Sequence, residues 1–254
     1  MKAKKSFGQH FLKNTHLTRN IAHLIETHQA HHRVLEVGPG KGILTRDLLQ
    51  VAQRFKAVEL DRDMIEYLLK EGILDDQQLI REDFLRLNLK TIFEGQKFTL
   101  VGNYPYNISS QIVLHMIHHH NLIPFSIGMF QLEMARRITG SMNTKDYGSL
   151  SILTQLFYDC KIVYKVKPGD FSPPPRVQSA VVMFIKKPSF PDLPVRVLEK
   201  NLRKAFAHRR KKISNNLNDP TEIEVLKHMD LADLRAEQIP MDVFVELIRK
   251  IEEL

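Results

Sequence analysis

The sequence predicts a doubly wound α/β fold followed by a small all-helical domain, and three observations carry that prediction. Strand-like and helix-like segments alternate as far as Ile185, the pattern of a mostly parallel sheet covered on both faces. A glycine-rich turn, Gly38-Pro39-Gly40-Lys41-Gly42, separates the first long strand from its helix. Beyond Lys186-Lys187-Pro188, with Pro191 and Pro194 following, only helical periodicity remains. This break predicts domains at 1–188 and 189–254.

The elements follow in order. Leu17, Ile21, Leu24 and Ile25 share one face of a helix predicted over Leu17 to His28. Arg33 to Val37 reads as a strand, and Ile43 to Val51 as the helix after the glycine turn. Phe55 to Leu60 is the second strand, then a helix from Arg62 to Lys70 closed by Gly72. Short strands follow at Leu79 to Arg81 and Phe98 to Val101. A helix is predicted from Ser109 to His118, with Ser109 as its N-cap. Phe125 to Phe130 is a strand, 131–139 and 147–157 are helices, and Ile162 to Val166 and Ala180 to Ile185 are strands around a Pro-rich loop.

Composition narrows the class. The 254 residues carry 37 Lys plus Arg against 29 Asp plus Glu, a formal charge of +8, with 43% hydrophobic residues. That balance excludes a disordered or collagenous chain. No apolar run approaches the ~20 residues of a bilayer span, and the basic N-terminus has no apolar stretch behind it, so neither a membrane partner nor a secretory signal is expected. The single Cys160 excludes an internal disulfide, and a cytoplasmic protein is expected. The positive charge is concentrated. Residues 1–25, with Lys4 and Lys5, contain no acid, and neither do residues 200–212, with Arg209, Arg210, Lys211 and Lys212. Two acid-free blocks are the footprint of a polyanion such as RNA. A solvated helix face is the plainer explanation of any single block.

The motifs cluster at one expected sheet edge, where ligands of such folds bind. Gly38, Gly40 and Gly42 allow a sharp turn and close approach of a ligand to the backbone. Ile43 stands where a dinucleotide fingerprint needs Gly or Ala, so the spacing fits S-adenosyl-L-methionine better than a nicotinamide cofactor. Glu59 ends the second strand, suited to the ribose hydroxyls, although Asp61 and Asp63 stand close by. Asp83 follows the third strand, suited to an adenine amine or, more plainly, to capping a turn. Asn103-Tyr104-Pro105-Tyr106 follows the fourth strand. The side-chain oxygen of Asn103 and the backbone carbonyl of Tyr104 are suited to accept the two N–H bonds of an adenine amine. Such an amine needs this help, because its lone pair is delocalised into the ring. Pro105 fixes the loop, and Tyr106 offers a face on which a base stacks. Positioning then supplies rate without a strong general base. His115, His118, His119 and His120 lack a supporting Cys or Glu, and no metal is expected.

These residues resemble the small-subunit rRNA adenine N6,N6-dimethyltransferases of the KsgA type, over nearly the whole chain. The resemblance runs through Lys5-Ser6-Phe7-Gly8-Gln9-His10-Phe11-Leu12, Glu36-Val37-Gly38-Pro39-Gly40, Glu59-Leu60-Asp61, and Asn103-Tyr104-Pro105-Tyr106-Asn107-Ile108-Ser109. It continues at Tyr147-Gly148-Ser149-Leu150-Ser151, at Phe171-Ser172-Pro173-Pro174-Pro175-Arg176-Val177-Gln178-Ser179-Ala180, and at Phe206 with Arg209-Arg210-Lys211 and Arg235-Ala236-Glu237. It implies a Rossmann-like methyltransferase domain using S-adenosyl-L-methionine, bound by His10, Leu12, Gly38, Gly40, Glu59, Asp83 and Asn103. It implies that Phe171 encloses the target base opposite Tyr106. The implied substrate is two adjacent adenosines in a hairpin near the 3′ end of small-subunit rRNA, within an assembling subunit; a monomer is expected. Three positions depart from the family: His10 replaces Asn, Tyr104 replaces Leu and is expected to narrow the base pocket, and Leu132 replaces Lys. A methyltransferase of large-subunit rRNA and a non-catalytic assembly factor on the same fold are the alternatives.

Overall fold

The computed structural model describes residues 10–28 and 33–253. A seven-stranded sheet lies in the order β4-β3-β2-β5-β6-β9-β7. Its strands are β2 (Arg33–Val37), β3 (Arg54–Val58), β4 (Leu79–Ile80), β5 (Thr99–Asn103), β6 (Phe125–Gln131), β7 (Tyr158–Val166) and β9 (Ser179–Lys186). β2 pairs in parallel with β3 and β5, β3 with β4, and β5 with β6, whereas β9 runs antiparallel to β6. A separate two-stranded pair joins β1 (Phe11–Leu12) to β8 (Phe171–Ser172).

Burial explains why these segments are strands. In β2 every residue after Arg33 is buried, and in β6 every residue before Gln131. Such unbroken burial needs cover on both faces, which a parallel sheet gains from its crossover helices. The helices are α1 (Thr15–His28), α2 (Ile43–Val51), α3 (Arg62–Lys70), the single turn α4 (Leu89–Ile92), α5 (Ser109–His118) and α6 (Leu132–Ile138). Asp61 caps α3 by accepting the Asp63 N–H, and Gly72 takes φ +60 just beyond its end. Ser109 is not the N-cap of α5. Ile108 holds that place, and the Ser109 hydroxyl donates to the Tyr106 carbonyl instead, tying the helix to the loop before it.

By contacts the chain forms two compact units, Met1–Ala135 with Lys161–Lys186, and Arg136–Cys160 with Lys187–Leu254. Residues 136–160 belong to the second unit although they precede Lys161–Lys186 of the first. That unit holds α7 (Ser149–Phe157), α8 (Val195–Ala205), α9 (Pro220–His228) and α10 (Met241–Glu252). The Tyr147 hydroxyl donates to the Ile239 carbonyl, and Phe206 packs on both Tyr147 and Phe244. α9 starts with a capping box: Asp219 accepts the Thr221 N–H, and Glu222 accepts the Asp219 N–H.

Candidate active site

The strand order reverses between β2 and β5, and a cleft opens at the carboxyl ends of β2, β3, β4 and β5. Gly38, Gly40, Glu59, Asp83, Asn103, Tyr104, Pro105 and Tyr106 line it, joined by His10 and Leu12. Eight of these ten lie at or just past the ends of β2, β3, β4 and β5, where the sheet topology gathers them, and His10 and Leu12 arrive with β1.

The glycine loop takes its shape from left-handed residues. Gly40 has φ +55, and a Cβ there would stand 3.3 Å from the Phe11 ring. Phe11 lines the cleft, and Lys41 Nζ lies 4.9 Å over its ring. No local sequence signal marks Phe11, because only the pairing of β1 with β8 brings it to the loop.

Glu59 sits just past β3 and is almost fully buried. Its Oε1 accepts the N–H groups of Leu60 and Asp61, both at 2.9 Å, and Oε2 accepts that of Gly40 at 3.3 Å. Burial raises its pKa, and these N–H donors pull it back. Oε1 is saturated, whereas Oε2 keeps acceptor capacity toward the cleft. Asp83 does two things at once: it lines the cleft and caps its own turn by accepting the Leu85 N–H. His115 packs edge-on against neighbouring Phe84, with centroids 5.2 Å apart, and burial pulls its imidazole down to about 4. Among the described residues no group of three or more His, Cys, Asp or Glu is placed to hold a metal ion, and no helix is long and apolar enough to cross a membrane.

Glu36, which no single-residue pattern marks as functional, lies fully buried under the loop and reaches the cleft lining. Thr45 Oγ1 donates to its Oε2 at 2.7 Å. Burial pushes its carboxyl up to about 8, with the nearby Glu59 adding to the shift and Thr45 opposing it.

The Asn103 amide is oriented by the protein itself. Its Nδ2 donates to the His10 carbonyl at 2.9 Å. No hydrogen bond reaches its Oδ1 from the described residues. Tyr106 is fixed by a 2.7 Å hydrogen bond between its hydroxyl and that of Ser179. The His10 imidazole lies on the Tyr106 ring and bonds the Pro173 carbonyl.

Three expectations need correcting. The Tyr104 ring does not narrow the opening. It is 2% exposed, packs edge-on against Phe130, and fills space that Gly102 and Gly128 leave. A Cβ at Gly128 would collide with the ring, and one at Gly102 would stand 2.7 Å from its Cε1. Burial raises the phenol pKa. Phe171 does not enclose the cleft: it is 1% exposed and belongs to the hydrophobic core, because pairing with β1 turns it inward. Arg209 is not an open cation. Its guanidinium donates to the carbonyls of Lys145 and Tyr147 at 2.6 and 2.9 Å and meets Glu237 at 3.3 Å. Lys212 pairs with Asp233 on the surface. Arg210 and Lys211 are exposed and form no ion pair with the described residues. Lys4 and Lys5 lie outside the described residues.

Comparison with known proteins places the chain among relatives. A family model described as "Ribosomal RNA adenine dimethylase" matches residues 1–252. Ribosomal RNA small subunit methyltransferase A of Flavobacterium johnsoniae is 37% identical over 254 residues, 99% of this chain and 97% of that protein. The protein of the same name from Bacteroides thetaiotaomicron is 36% identical, covering 100% of this chain and 95% of its own. Among solved structures, a dimethyladenosine transferase from Plasmodium falciparum shares the fold with a TM-score of 0.81 at 24% identity, covering 96% of this chain and 98% of that one. The 23S rRNA methyltransferase ErmE gives a TM-score of 0.67 at 25% identity, covering 95% of this chain and 99% of that one.

Proposed function

The chain belongs to the ribosomal RNA adenine dimethylase family, and from that premise we propose that it methylates N6 of two adjacent adenosines in the 3′-terminal hairpin of small-subunit rRNA. It is an rRNA adenine methyltransferase, and its methyl donor is S-adenosyl-L-methionine. When bound, that cofactor supplies an electrophilic sulfonium methyl group. The residues present suit it: positive-φ glycines at 38 and 40 for close approach, an acceptor left on Glu59 for ribose, and Asp83 for the adenine amine. Gly38, Gly40, Glu59, Asp83 and Leu12 hold the cofactor in this reading.

One observation carries the chemistry: the Asn103 amide is pinned by His10 so that its oxygen remains an acceptor. That oxygen and the Tyr104 carbonyl take the two N–H bonds of the target amine. The amine lone pair is thereby aimed outward, which replaces base catalysis by positioning. Pro105 stiffens the loop, and Tyr106, held by Ser179, carries the base on its ring face. After each transfer the amine loses its added proton to solvent. The exposed Arg210 and Lys211 contact rRNA phosphates, with Lys4 and Lys5 adding charge from the N-terminal block. The enzyme acts as a monomer in the cytoplasm, on an assembling subunit.

The relatives named for the small subunit at 36–37% identity favour this target over the large subunit, whose solved representative stands at 25%. Primer extension on rRNA from cells carrying this enzyme tests the choice. Stops at two adjacent adenosines near the small-subunit 3′ end are expected. A single stop in large-subunit rRNA would overturn the assignment.

A further inference from the structure

His10 departs from the family pattern, and its two halves are held very differently. The backbone carbonyl anchors Asn103 at 2.9 Å, and the next two residues pair with β8. The side chain has one exposed hydrogen bond, Nδ1 to the Pro173 carbonyl at 2.9 Å, and one ring contact, on Tyr106. The two ring centroids are 5.5 Å apart and the planes 29° from parallel.

A stacked base needs about 3.5 Å on each face, so a base lying between two rings needs about 7 Å. The separation here is too small. Imidazole and target base therefore compete for the same face of Tyr106, given the reading of Tyr106 as the stacking platform.

We propose that the His10 side chain is a gate on the target-base site. In the RNA-free protein it covers the Tyr106 face, and the incoming adenine displaces it by rotation about the Cα–Cβ bond. The backbone stays on Asn103, so opening the gate leaves the acceptor oxygen in place. Apparent affinity for RNA is then reduced by the fraction of molecules whose gate is open. His10 acts on base entry and its side chain takes no part in holding the cofactor.

Steady-state kinetics on unmethylated small subunits with S-adenosyl-L-methionine test this in the wild type, His10→Asn and His10→Ala. The KM for subunits is expected to fall roughly 3- to 10-fold in both variants, with the KM for S-adenosyl-L-methionine holding. An unchanged or raised KM for subunits overturns the gate, as does a raised KM for the cofactor. A wild type that transfers no methyl group overturns the functional reading instead. NMR of the RNA-free protein then decides the gate by itself. The His10 Hε1 signal, identified by its loss in His10→Asn, is expected upfield under the Tyr106 ring current and should move downfield in Tyr106→Leu. A signal that Tyr106→Leu leaves in place contradicts the gate whatever the activity.

Discussion

Asn103 has one end of its amide committed to the protein before any RNA arrives, and that commitment decides what the other end does. In the proposed role, Asn103→Ala removes an acceptor of the target amine. Turnover is expected to fall by roughly 10²–10³, by analogy with the loss of one oriented group from an oxyanion site. Affinity for S-adenosyl-L-methionine, read by calorimetry, should change far less. Equal losses in both would make Asn103 a cofactor ligand only. Glu36 gives a second residue-scale test. Burial pushes its carboxyl up to about 8, above the ordinary 4.5 of a glutamate. The folded protein thus holds a proton that the unfolded chain releases, and stability falls as pH rises from about 4.5 to about 8. Glu36→Gln keeps an acceptor for Thr45 and removes the ionisation. Its melting temperature should match the wild type near pH 5 and exceed it at pH 8, as scanning calorimetry without ligand will read. A gap that does not grow with pH would contradict a buried neutral Glu36.

At the scale of elements, the second unit depends on a clamp. Arg209 joins the carbonyls of Lys145 and Tyr147 to Glu237, holding the turn before α7 against the short helix at Ala236–Gln238. Arg209→Ala is expected to cost about 1–2 kcal/mol in urea unfolding, the range for hydrogen bonds to a charged but partly exposed group. The salt dependence of RNA binding should keep its slope in that variant. Arg210→Ala with Lys211→Ala should leave stability alone and flatten the slope by about one unit per residue. The opposite assignment would return Arg209 to the RNA surface. A basic run shows charge, whereas only the folded turn shows which charge is already engaged. The β1–β8 pair teaches the same lesson. Its strands are two residues each and 160 positions apart in sequence. No local pattern marks them, yet their pairing buries Phe171 and brings Phe11 and His10 to the site.

For the whole molecule, the alternating strands and helices, the glycine loop and the Asn103 motif were readable because each depends on local periodicity or turn chemistry. Element ends were less so. β3 stops at Val58 rather than Leu60 because the Glu59 carboxylate turns back to bind the N–H groups of Leu60 and Asp61. The burial of the Tyr104 ring is not legible in the sequence because its slot is made by glycines on two different strands, Gly102 and Gly128. The loops after β2, β3, β4 and β5 meet in one cleft because a parallel sheet places every loop after a strand at one edge, whereas His10 and Leu12 arrive with β1. The most direct test of the account is methyl transfer from labelled S-adenosyl-L-methionine to unmethylated small subunits, followed by nucleoside analysis. Label in N6,N6-dimethyladenosine is the expected result. Tight subunit binding without label would contradict it, and would make this chain a binding factor built on a methyltransferase fold.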